Sequence, residues 1–329
     1  MRFAAFASLI VAVVALANVA AAAENDAAPG IVYALGTKFD KSFNESAWRG
    51  AERFKAATGI AYHEIEIAND NQRVQALSEL IRHGAPVVVA VGFDQRAAVE
   101  TVATRFPQAR ITIIDTTVDK PNVQSVVFRE QEGAFLVGVL AAMASKTGTI
   151  GYLGGMDIPI IRRILEGYAE GARWAVPGIK LIANVTGTTP AAFTDPARGA
   201  ELARSQFDRG VDVIFAAAGI TGFGALQAAK DEGKLAIGMD ANQNGLFPGT
   251  VLTSLLKRVD NAVYDAFITA RAGTWAPGVK SLGLAEHGVD YAMDDNNKAL
   301  VTPAMHAKAE EARAEIIAGK INPGALAEH

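Results

Sequence analysis

From Ile31 to Leu256, short apolar runs of strand length alternate with helical segments, and this rhythm restricts the chain to α/β architectures built on parallel sheets. Val87-Val88-Val89-Ala90-Val91 is an unbroken run ending in Gly92, as a strand covered on both faces requires. Around it the first cycle reads strand Ile31–Leu35, helix Glu45–Ala57, alternating stretch Tyr62–Ile67, helix Asn71–Arg82, helix Gln95–Arg105 and strand Ile111–Ile114. After a strand at Val123–Phe128 and a long apolar helix opened by Glu130-Gln131-Glu132, a second cycle runs from Thr149 to Met239. Two such cycles predict two parallel-sheet lobes. No Pro-, Gly- or Ser-rich linker separates them, so the boundary near Ser125–Phe128 is expected to be a strand passing between lobes. The strand Thr250–Leu256 and the helix Val259–Ala272 are expected to return to the first lobe. The lobes are then 29–125 plus 251–280, and 126–250 plus 281–329.

The 329 residues suffice for two cores of ordinary size. A net charge of −4 without a basic block argues against nucleic acid as a partner. Residues 1–23 carry Arg2, an apolar stretch and small residues ending Ala21-Ala22-Ala23, the layout of a cleaved signal peptide. The chain has no cysteine, which excludes disulfides, a thiol nucleophile, a thiolate metal site and a lipidated N-terminal cysteine. A soluble secreted protein without a lipid-modified N-terminal cysteine is therefore expected. The five histidines show no metal-ligand spacing, and neither a metal nor a cofactor is expected.

Ligands of open α/β folds gather at the C-terminal tips of the strands. The first such loop, Gly36 to Gly50, carries Asp40, Asn44, Phe39, Phe43 and Trp48. As a cluster these groups suit a flat, hydrogen-bonding small molecule. Taken singly, Asp40 reads equally as a turn former, Asn44 as a helix cap and the aromatics as core. Asp115 ends another strand and either faces the crevice or caps its loop. In the second lobe Gly154-Gly155-Met156, Gly187-Thr188-Thr189 with Phe193, Ala218-Gly219 and Asp240 occupy the corresponding tips. Asp240 and Lys257 either hold vicinal hydroxyls or form a surface ion pair. Asp40, Asp115 and Asp240 lack an accompanying nucleophile or metal cluster, so binding is the more economical reading than hydrolysis.

The strings GTKFDKSFNESAWRGAERF, VGFDQ, SVVFREQEGAFLVGVLAAMASKTGTIGYLGGMDIP, FAAAGITGFGALQAAKDEGKLAIGMDANQN and VLTSLLKRVDNAVYDAF resemble the BMP family of basic membrane lipoproteins. That family includes the PnrA-like substrate-binding proteins of ABC transporters for purine nucleosides. The resemblance implies a type I periplasmic binding protein fold: two doubly wound parallel-sheet lobes joined by three crossovers, near Ser125–Phe128, Gly249–Thr250 and Lys280–Leu284. It implies no catalysis, a purine nucleoside or purine base as ligand, and an ABC permease in the inner membrane as partner. Trp48 is expected to stack on the base with Phe193 opposite, Asn44 and Asp115 to read its edge with Asp40 beside them, and Gly219, Asp240 and Lys257 to hold the ribose. The family's lipobox cysteine is absent, so a monomer diffusing freely in the periplasm is expected, and Asp157, Arg162 and Arg163 bring charges with no place in such a pocket. A nucleoside-processing hydrolase and a ligand sensor are the alternatives to transport.

Overall fold

The computed structural model describes residues 27–324. The chain begins with β1 (Gly30–Val32), α1 (Phe43–Thr58), β2 (His63–Ile65), α2 (Arg73–Arg82), β3 (Val88–Val91), α3 (Arg96–Arg105), β4 (Ile111–Ile114) and β5 (Val123–Phe128). It continues with α4 (Glu130–Ala144), β6 (Thr149–Met156), α5 (Pro159–Ala175), β7 (Lys180–Gly187), α6 (Pro196–Phe207), β8 (Val213–Ala217), α7 (Thr221–Asp231), β9 (Leu235–Asp240) and β10 (Val251–Lys257). The last elements are α8 (Val259–Arg271), β11 (Gly278–Leu282), β12 (Val289–Tyr291) and α9 (Pro303–Ile317). They form two six-stranded sheets, ordered β11-β5-β4-β3-β1-β2 and β12-β10-β9-β8-β6-β7. Every pairing is parallel except β10 with β12. These are the two lobes of a type I periplasmic binding protein fold.

Local chemistry sets the element ends. Pro159, Pro196 and Pro303 stand in first helical turns, where the missing N–H costs nothing. Asp195 and Thr302 cap α6 and α9 by accepting from the backbone N–H of Arg198 and Met305. Strands β3 and β4 are buried along their whole length, as the apolar runs require. Helices α4 and α5 meet backbone to backbone, because a Cβ on Gly171 would lie 2.0 Å from the carbonyl oxygen of Phe135.

Two of the expected boundaries are corrected. β5 stays in the first sheet to its end at Phe128, where its last residues run beside β11. β10 does not return to the first lobe: it pairs with β9 from Val251 to Leu256 and so belongs to the second sheet. The crossing expected near Gly249–Thr250 falls instead after Lys257; α8 and β11 go back to the first lobe, α8 lying against α1 so closely that a Cβ on Gly50 would be 2.3 Å from Asp260 O. The reason is that an apolar run fixes a buried strand without fixing its neighbour. The third crossing follows Leu282. The crossing segments are stitched together: Arg129 N–H donates to Leu282 O and Arg258 N–H to Gly288 O, each at 2.9 Å.

Candidate functional site

The strand tips of both lobes converge on one cavity. Its first-lobe wall is Ala34, Leu35, Phe43, Gly92, Phe93, Asp94 and Asp115; across from it lie isoleucines of the α5 entrance, Phe193, Gly219, Met239, Asp240 and Lys257. Asp115 and Asp240 end the fourth strand of their respective lobes, and both adopt left-handed backbone, with φ of 74° and 67°. That conformation is uncommon for a residue with a Cβ and marks functional or tightly determined positions. The repeated geometry turns one carboxylate from each lobe toward the same space.

Lys257, at the end of β10, ties the lobes together. Its ammonium is 2.6 Å from Asp115 Oδ2 and 3.1 Å from Glu130 Oε1, with all three side chains under a tenth exposed. It also stands 5.3 Å from the ring centre of Phe43 and 5.1 Å from that of Phe128. Burial opposes its charge, but the carboxylates of Asp115, Glu130 and Asp240 outweigh that and hold the ammonium above its ordinary pKa. Burial pushes Asp115 up to about 6, against the pull of Lys257, and Glu130 adds to the rise. Asp240 is likewise raised to about 6 by burial, with Lys257 and Ser42 pulling the other way. Ser42 Oγ of the first lobe donates to Asp240 Oδ2 at 2.6 Å, a second polar bridge between lobes. Gln243 Nε2 adds a third by donating to Lys41 O at 3.0 Å.

One carboxylate oxygen has no partner. Asp115 Oδ1 is buried and accepts no hydrogen bond. An orphaned acceptor in a cavity with aromatic and aliphatic walls suits a ligand that brings an N–H or O–H to it.

Of the residues expected from sequence, Asp115, Phe193, Gly219, Asp240 and Lys257 line this cavity, whereas Asp40, Asn44 and Trp48 do not. Asp40 accepts from the backbone N–H groups of Ser42, Asn44 and Glu45 at 2.8, 3.0 and 3.0 Å and so secures the start of α1. Asn44 grips the strand-to-helix turn: its Oδ1 accepts from Ala34 N–H, and its amide donates to the carbonyls of Ala34 and Thr37. Trp48 packs edge-on against Phe39 at 5.1 Å. Phe43, left open between ligand cluster and core, is the aromatic of this helix that reaches the cavity. Trp48 lies five positions further along α1, about 140° of helical rotation, so the two rings cannot share a face.

Sequence reasoning also passed over Phe93, Asp94 and Glu130. Phe93 and Asp94 follow the strand tip Val91-Gly92 just as Asp115 follows Ile114, which was signal enough. The unplaced charges resolve as ion pairs: Arg162 with Asp157 at 2.5 Å, exposed, and Arg163 with Glu130 at 3.1 Å. Among the described residues no group of His, Asp and Glu could hold a metal ion.

Comparison with known proteins bears on this arrangement. Residues 30–323 match the family described as Bmp, ABC transporter substrate-binding protein PnrA-like. An uncharacterized lipoprotein of Pyrococcus horikoshii is 37% identical over 277 residues, covering 79% of this chain and 67% of its own. The ABC transporter nucleoside-binding protein BmpA of Lactococcus lactis is 31% identical over 307 residues, covering 86% and 84%. A crystal structure of an ABC transporter solute-binding protein from Aeropyrum pernix superposes with a TM-score of 0.81 at 28% identity, over 90% of this chain and 92% of that one.

These relatives correct one expectation. Those from Pyrococcus are named lipoproteins, which counts against the expected lipid-free protein diffusing in the periplasm. The present sequence has no cysteine, so a lipid on this chain would need a different attachment group. The expected signal segment, residues 1–23, lies outside the described residues. No described helix is long and apolar enough to cross a membrane. Family and fold are those of non-catalytic proteins that carry a small molecule to an ABC permease: the chain belongs to the PnrA-like family of ABC transporter substrate-binding proteins.

Proposed function

We propose that the ligand is a purine nucleoside or a related purine, captured between the lobes and delivered to the permease when they close. The observation that carries this reading is the pairing of apolar and aromatic surface, Phe43, Phe93, Phe193 and Ile161, with the unpartnered Asp115 Oδ1 in one cavity. Flat heteroaromatic rings with N–H edges match both parts. In this reading Phe43 and Phe193 face the ring, Asp115 takes a donor from the base, and Asp240, Lys257 and the backbone at Gly219 hold the sugar hydroxyls. Asp40 and Asn44 act indirectly, by holding the turn that presents Phe43. The resemblance to a nucleoside-binding protein of L. lactis supports the same ligand class.

The test is calorimetric titration of the purified chain with purine nucleosides, purine bases and, as controls, pyrimidine nucleosides and ribose. Saturable binding of purines alone is the expected result. Absence of binding by every purine refutes the proposal.

A further inference from the structure

The first-lobe wall contains a second carboxylate that the proposed purine contacts leave unused. Asp94 lines the cavity in the turn after β3, the strand that pairs with β4 so that Val91 lies beside Ile114. Asp94 and Asp115 therefore follow neighbouring strand tips, Asp115 directly after Ile114 and Asp94 three residues beyond Val91. Asp94 is held in place. Its Oδ2 takes a hydrogen bond from Arg73, whose side chain is 8% exposed and also pairs with Asp70 at 3.0 Å. Its Oδ1 folds back over Gly92, where a Cβ would lie 2.8 Å away, so only a glycine leaves that path open. A fixed guanidinium behind a carboxylate is a costly arrangement for a mere loop, since it desolvates two charges.

Asp94 and Asp115 are the ionisable groups on the first-lobe side of the cavity, and one oxygen of Asp115 is buried without a partner. Both are acceptors when ionised. A deaminated edge such as that of hypoxanthine offers one N–H donor and sets a carbonyl's lone pairs against the second acceptor, whereas an exocyclic amine brings two N–H donors to the pair. We infer that Asp94 is a specificity-determining residue that, with Asp115, selects purines bearing an exocyclic amine, of adenine or guanine type, over their deaminated counterparts. This rests on the purine reading and adds to it a discrimination within that class. Sites built to bond a polar group reject analogues lacking it far more strongly than apolar pockets reject a missing methylene.

The experiment is a comparison by titration calorimetry of adenosine, guanosine and inosine on the wild-type chain and on Asp94→Asn, with unliganded melting curves for both. On the wild type, at least one amine-bearing nucleoside is expected to bind roughly tenfold or more tighter than inosine. The Asp94→Asn side chain presents an N–H₂ in place of one acceptor oxygen, so the variant should lose that preference, the amine-bearing nucleoside weakening relative to inosine. Equal or tighter binding of inosine by the wild type overturns the inference even if the variant fails to fold. An unchanged preference in a folded variant, or equal weakening toward all three ligands, overturns it too. If purines bind without regard to the amine, the proposed function stands and only this inference falls; if none binds, both fall.

Discussion

Replacing Lys257 by Met should expose how much the buried charge cluster depends on a single ammonium. Met keeps the length and apolar contacts of the stem but leaves Asp115, 2.6 Å from the lost nitrogen, as an uncompensated buried carboxylate, and Glu130 with Arg163 as its remaining cation. Removing one partner of a buried pair costs about 3–5 kcal/mol. At roughly 2–4 °C per kcal/mol the melting temperature of the unliganded protein should fall by about 10 °C or more at neutral pH. The loss should depend on pH in a set direction. Asp115 and Asp240 already titrate near 6 because burial raises them above their ordinary carboxylate value, and Lys257 is the chief influence holding them down. A group whose folded pKa lies above its unfolded one contributes stability that is fully present below the unfolded value and is lost as pH rises through the folded value. In the variant both carboxyls rise further, so its deficit should be small near pH 5, where they take up protons, and largest near pH 8. Melting curves of the two proteins across that range, without ligand, are the assay. A deficit of equal size at pH 5 and pH 8, or none at either, would refute the electrostatic account of the cluster.

Phe43→Ala should weaken binding of the preferred purine by roughly tenfold or more through lost aromatic contact, whereas Trp48→Ala should change it by less than about threefold; equal effects in calorimetry would return Trp48 to the site. Ser42→Ala removes the 2.6 Å bond that joins the lobes at Asp240, a hydrogen bond to a charged group worth about 1.5–3 kcal/mol. Small-angle scattering should then show a more open unliganded molecule. Asn44→Ala leaves the polar groups of Ala34 and Thr37 without their partners and should cost about 1–3 kcal/mol in urea unfolding. Arg162→Ala should leave the midpoint of urea unfolding essentially unchanged, since its pair with Asp157 is solvent-exposed.

Strand-tip reasoning was strong where it depended on backbone direction alone. It brought Asp115, Asp240, Gly219 and Lys257 into one cavity although they are far apart in sequence, because every parallel strand of a lobe ends on the same side. It failed where rotation about a helix axis decides the outcome. Trp48 and Phe43 share a loop-to-helix segment, yet helical phase sends one to Phe39 and the other to the ligand space. It also failed where pairing is non-local. The run Val251–Leu256 is apolar enough for either sheet, and only its register with β9 shows which sheet takes it. Asp40 and Asn44 show a third limit: a polar side chain beside a helix start can serve the ligand or the backbone, and here the unpaired N–H groups of α1 and the turn at Ala34 claim them first.

The position of the second crossing has a mechanical consequence. Lys257 is the last residue before the chain changes lobe, and Glu130 lies two residues beyond the end of β5, where the chain makes its first change. The charges that stitch the cavity thus sit on the axle of the molecule and not on its moving rims. A small rotation between lobes reorients them directly, so lobe angle and ligand grip behave as one variable: a change at Gly283, which follows Leu282 at the third crossing and lies outside the cavity lining, should alter affinity as surely as a change in the cavity. A permease that pries the lobes apart would by the same leverage loosen the hold on the cargo.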